Sequence, residues 1–139
     1  MNHVDEAVKL FNDKYVCSQA VFAAFSQDFG LAKEQALKIG ACFGSGMRKG
    51  EVCGACSGAL MALGLKYGKD KGKSNEACER FLDLFKEENG SYICNDLLEY
   101  DITTPEGVEY AVENKLFTEF CPKMVASATK IAEKIINED

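Results

Sequence analysis

The chain has 139 residues, 22 of them acidic and 16 basic, for a net charge of −6. No block of Lys and Arg stands out, which argues against a nucleic-acid role, and no run reaches the ~18 consecutive apolar residues of a membrane span. A hydrophobic share of 47% is ordinary for a globular protein, and the length suits a single domain over 1–139 with a core of its own.

The first element is an amphipathic helix over residues 3–12, with Val4, Ala7, Val8 and Phe11 on one face. Asn12-Asp13-Lys14 breaks it. A second helix runs from about Cys17 to Asp28; it is apolar nearly all round (Ala20, Val21, Phe22, Ala24, Phe25), so it belongs in the interior. Gly30 suits its C-terminal cap. A third, shorter helix covers Lys33 to Ile39 and stops at Gly40.

Residues 44–50 hold Gly44, Gly46 and Gly50, too many glycines for a helix interior. They form a loop that delivers Cys53 to the head of a central helix ending near Tyr67. Small residues along that helix (Gly54, Ala55, Ser57, Gly58, Ala59) let other backbones come close. The loop lacks the Gly-Lys-Ser/Thr ending of a phosphate cradle.

Gly68 to Ser74 reads as a polar linker, Glu76 to Glu87 as a helix, and Asn89-Gly90 as a turn. Tyr92 to Tyr100 is a short helix or helical turn, and Asp101 to Thr104 a loop. Thr104-Pro105 has the N-cap and N1 pattern of a helix start, with the helix extending to about Phe117. Cys121-Pro122 repeats the pattern and opens a last helix, carrying Val125, Ala128, Ile131, Ala132 and Ile135 inward. The terminal Asn137-Glu138-Asp139 is expected to fray. No period-two run is long enough for a strand. The expected fold is all-α, a compact single-domain bundle of about six to eight helices.

Seven cysteines dominate the chemistry: Cys17, Cys42, Cys53, Cys56, Cys78, Cys94 and Cys121. The N-terminus lacks a basic segment followed by an apolar one, so the expected location is cytoplasmic. In a reducing compartment such a count points to metal ligation or thiol redox chemistry rather than a disulfide framework. Cys17, Cys53, Cys94 and Cys121 each fall at a linker-to-helix transition. Helix starts carry unpaired N–H groups and partial positive charge, which favour the thiolate. Cys42 lies past a helix end. Cys78 sits inside a helix beside Glu76 and Glu79. Cys56 lies one turn beyond Cys53, so that Cys53-Gly54-Ala55-Cys56 has the Cys-x-x-Cys form of a redox dithiol, without the βαβ context of a thioredoxin.

These contexts resemble the C_GCAxxG_C_C family of redox-active proteins, small chains with four characteristic cysteines. The matching residues are Cys17 in Tyr-Val-Cys-Ser-Gln-Ala-Val, Cys53-Gly54-Ala55-Cys56-Ser57-Gly58, Cys94 in Asn-Gly-Ser-Tyr-Ile-Cys, and Cys121 in Cys-Pro-Lys-Met-Val. In the family label Gly precedes Cys; here Cys precedes Gly. The resemblance spans about Ala7 to Ile131 and implies redox activity centred on the four cysteines. Cys42, Cys56 and Cys78 are extra to that pattern.

The expected site is therefore Cys17, Cys53, Cys94 and Cys121. They either ligate an iron–sulfur cluster, which takes four thiolates, or cycle between dithiol and disulfide, as an oxidoreductase or an electron carrier. The alternative is a redox-silent four-thiolate zinc site. The expected partner is an unidentified redox protein; a homodimer is the oligomer considered, and neither nucleic acid nor membrane is expected. Arg48 and Lys49 are expected to be solvated, with an offset of thiolate charge on Cys53 as the alternative. Tyr15, Tyr92 and Phe120 are the expected walls of the site. His3 is the single histidine, expected to be exposed, which argues against Cys-His catalysis.

Overall fold

Apolar spacing and polar caps set the helices. The computed structural model describes residues 2–138. Among these residues are eight α-helices: α1 (His3–Asn12), α2 (Cys17–Ser26), α3 (Lys33–Ile39), α4 (Gly54–Tyr67), α5 (Lys71–Asn89), α6 (Cys94–Leu98), α7 (Pro105–Glu113) and α8 (Cys121–Asn137). The all-α expectation holds. The sole extended pairing among the described residues is an isolated antiparallel bridge between Val52 and Ile93. None of these helices is long and apolar enough to cross a membrane.

Side-chain oxygens start several helices by accepting otherwise unpaired N–H groups. Asn2 accepts from Asp5 N–H at 2.8 Å, Asp70 from Lys73 N–H at 3.1 Å, and Thr104 from Gly107 N–H at 3.0 Å. Two expected boundaries move. The polar stretch Gly68 to Ser74 is mostly helix, because the Asp70 cap lets α5 begin at Lys71. The helix expected to reach Phe117 ends at Glu113; Lys115 takes a left-handed conformation (φ 56°), and residues 116–120 form a wide helical turn leading into α8.

Two further expectations are corrected. His3 is partly buried: its ring stacks on Phe25, with centroids 4.5 Å apart, and Nε2 lies 2.6 Å from Asp28. Glu138, expected to fray, is gripped by the Arg80 guanidinium, with Nη2 donating to Oε1 at 2.6 Å. Asp139, included in that expectation, lies outside the described residues.

The core is centred on α4. It packs against α2, α5 and α8, while α1 lies across α2 and α8. Val21 and Phe25 of α2, Phe81 and Phe85 of α5, and Val125 of α8 are almost completely buried around Ala55, Cys56, Ala59 and Ala62 of α4. Close approach of α4 to α2 depends on Gly58. A Cβ there would stand 2.5 Å from Ser18 O and 3.2 Å from Phe22 N, both backbone atoms of α2. Gly58→Leu is expected to destabilise by roughly 1–3 kcal/mol through overpacking; urea unfolding with an unchanged midpoint would show the glycine is not needed there.

The loop before α4 is tightly wound. Ser45, Gly46, Met47 and Arg48 are consecutive left-handed residues (φ 55°, 61°, 56° and 65°). Each non-glycine among them costs roughly 1–2 kcal/mol. Arg48 is exposed, so Arg48→Gly is expected to raise stability by up to about 1 kcal/mol after the added unfolded-state entropy. A lowered urea midpoint in that variant would count against strain at this position.

Candidate functional site

Four helix starts carry the expected cysteines. Cys17, Cys94 and Cys121 are the first residues of α2, α6 and α8, and Cys53 is the N-cap of α4. All four line one cavity of about 100 Å³. Its apolar walls come from Phe11, Val16, Leu97, Leu98, Phe117, Phe120 and Met124. Of the other cysteines, Cys56 is fully buried behind Cys53, Cys42 is exposed after α3, and Cys78 is half-buried in α5. None of these three lines the cavity.

Hydrogen bonds lock three of the four starts in place. Val52 and Ile93 pair so that Cys53 N–H donates to Tyr92 O at 2.8 Å and Cys94 N–H donates to Glu51 O at 2.5 Å. The head of α2 is held by Gln19, whose Oε1 accepts from Val16 N–H at 2.9 Å and whose Nε2 donates to Leu37 O at 2.8 Å. Ser18, fully buried, donates to Gly40 O at 2.6 Å. Gly54 admits Cys17 to the head of α4: a Cβ there would stand 2.4 Å from Cys17 Sγ.

The thiols differ in acidity. Cys53 is held below the ordinary thiol value although it is buried, above all because the Cys56 thiol donates to its sulfur. The N–H groups of Ala55 and Cys56 add to this, as expected at a helix start, although neither makes a side-chain cap bond of full geometry. Cys17 and Cys121 are both pushed up to about 12, mainly by burial in apolar surroundings. The negative charge of Cys53 adds to the rise at Cys17, and those of Cys17 and Cys53 add to it at Cys121. Burial also raises Cys94, followed by the charges of Cys53, Cys17 and Cys121. Cys56 is raised by burial and by its bond to Cys53. Cys78 is raised by burial first and by Glu79 second.

Arg48 and Lys49 are solvated: both are exposed, as expected, and neither contributes to the shift at Cys53, so the alternative of charge offset finds no support. The readable signal was the spacing of Cys53 and Cys56, three residues apart on one helix face. Of the expected walls, Phe120 lines the cavity, Tyr15 is exposed, and Tyr92 lines an outer groove instead.

Four thiols are the donor set of an iron–sulfur or zinc site. As placed, however, they do not form a ready ligand set: among the described residues no group of three or more His, Cys, Asp or Glu side chains is gathered so as to hold a metal ion.

A helical protein with four cysteines at converging helix starts is thus defined by fold and site together. Its sequence matches the family model described as "Putative redox-active protein (C_GCAxxG_C_C)" over residues 15–135, and the chain belongs to that family. No curated protein and no solved structure matches it.

The acidity order is open to measurement. In reduced protein, Cys53 is expected to alkylate faster with iodoacetamide at neutral pH than Cys78. Cys56→Ala removes the thiol donor, so the Cys53 thiolate loses a stabilising bond and its alkylation midpoint moves to higher pH. Mass-resolved labelling against pH checks both; an unmoved midpoint would take Cys56 out of the account.

Proposed function

We propose that the protein is a dithiol–disulfide redox protein in which Cys53 is the nucleophile and Cys17 its first partner. The observation that carries this reading is one apolar cavity lined by Cys17, Cys53, Cys94 and Cys121, in which Cys53 alone has its acidity enhanced. Two-electron oxidation joins the sulfur of the Cys53 thiolate to that of the Cys17 thiol; one proton and two electrons leave, the electrons going to an accepting partner. Cys17 is favoured as partner because Gly54 brings its sulfur against the head of α4. Cys94 and Cys121 share the cavity and offer thiols to which the disulfide can pass by exchange. Cys56 stays outside the cavity as the donor that acidifies Cys53.

Mild oxidation followed by non-reducing peptide mapping tests this reading. The first bond expected is Cys17–Cys53, with later exchange products confined to Cys17, Cys53, Cys94 and Cys121. Oxidation that leaves these four thiols free while the protein stays folded would sink the proposal. So would a first bond between Cys42 and Cys78.

A further inference from the structure

The cavity has a chemical character of its own. Its single polar side chain is Ser45, and no Asp, Glu, Lys, Arg or His reaches it. Burying a charge without a partner in such surroundings is strongly unfavourable. The volume of about 100 Å³ is also restrictive: it is below the order of 150 Å³ of an apolar cavity that holds benzene, so it admits one RS half of a small disulfide rather than the whole molecule. Outside lies an open groove of about 660 Å³ that carries Lys86, Asp96 and Glu99. Leu97 and Phe120 line both spaces and therefore stand between them.

Resting on the thiol-redox reading, we propose that the site takes small, uncharged, apolar disulfides as oxidising substrates, and that Phe120 is a specificity-determining wall that keeps charged disulfides in the outer groove. The Cys53 thiolate attacks one sulfur of R–S–S–R. The substrate S–S bond breaks, a mixed disulfide with Cys53 forms, and RS⁻ leaves, taking the proton from the Cys17 thiol. The Cys17 thiolate then attacks the Cys53 sulfur. The second RS⁻ leaves and takes a proton from solvent, replacing the one Cys53 lost when it ionised. The protein gives up two electrons and gains the Cys17–Cys53 disulfide; the substrate accepts them and becomes two RSH.

The test uses the reduced, full chain with diethyl disulfide, cystamine (a dication) and dithiodiglycolate (a dianion). Formation of the Cys17–Cys53 disulfide is followed by quenched mass spectrometry. Each rate is divided by that of a free small thiol with the same reagent, which removes intrinsic reactivity. Diethyl disulfide is expected to exceed both charged reagents by about tenfold or more: the Cys53 thiolate repels the dianion, and the ammonium of cystamine loses that same thiolate as its counter-charge when the mixed disulfide forms, which leaves an unpaired charge in an apolar site. In Phe120→Ala this preference should shrink, with the cystamine rate rising relative to diethyl disulfide. Equal normalised rates, or rejection of the dianion alone, would overturn the selectivity while leaving the redox reading standing. An unaltered ratio in a folded Phe120→Ala protein would overturn the role of the wall. Failure of all three reagents to form the disulfide would overturn the redox reading and this inference with it.

Discussion

A sulfur stands at the head of α4 where most helices have an oxygen. N-cap positions favour Ser, Thr, Asp or Asn because a side-chain oxygen can satisfy the unpaired N–H groups of the first turn. Here the residue is Cys53, and a neutral thiol accepts hydrogen bonds poorly. Those N–H groups instead favour the charged form of the sulfur, as does the Cys56 thiol one turn on. The small residues of α4 follow from the same requirement. A helix that must present its N-terminus inside the molecule has to be approached by other backbones, and Gly58 lets the backbone of α2 at Ser18 and Phe22 come close.

Burial and acidity pull in opposite directions at this site. Desolvation raises Cys17, Cys94 and Cys121, and it opposes the lowering of Cys53 as well. Only Cys53 has a thiol donor behind it to reverse the balance. Four thiolates in one apolar cavity would repel one another strongly. One thiolate among three protonated thiols is the arrangement such a cavity tolerates, and it provides a nucleophile together with proton-bearing partners.

Much of the fold was legible because it is local. The bounds of α1 and α3, the cap glycine at Gly30, the Thr104-Pro105 start and the cysteine positions at helix starts all rest on patterns a few residues long. Three features were not legible. Ser45, Met47 and Arg48 give no signal of a left-handed conformation, which sequence normally announces with glycine. Leu116 and Phe117 continue an apolar pattern across a break set by the backbone at Lys115. The early start of α5 was masked by Lys71-Gly72-Lys73-Ser74, although Asp70 was readable as its cap. Convergence of the four cysteines is a long-range property; periodicity shows that each heads a helix, not that the helices point into one cavity. Acidification by Cys56 rather than by Arg48 and Lys49 turns on which neighbours reach the sulfur, and three residues along a helix are nearer than four or five along a loop.

The charge on Cys53 also sets the order of events in the proposed cycle. That charge is part of what holds Cys17 protonated. Once Cys53 forms a covalent bond to another sulfur, its negative charge is gone, and so is that contribution. Cys17 then becomes easier to ionise at the stage when its thiolate is required. The same holds for Cys94 and Cys121, both of which are raised in part by Cys53. Attack by the first thiol thus removes the electrostatic part of the obstacle to ionising the second; burial, the larger part, stays, and in the proposed cycle the departing thiolate is the base that takes the proton, while the apolar walls strengthen the coupling between the sulfurs by keeping out the water that would screen it.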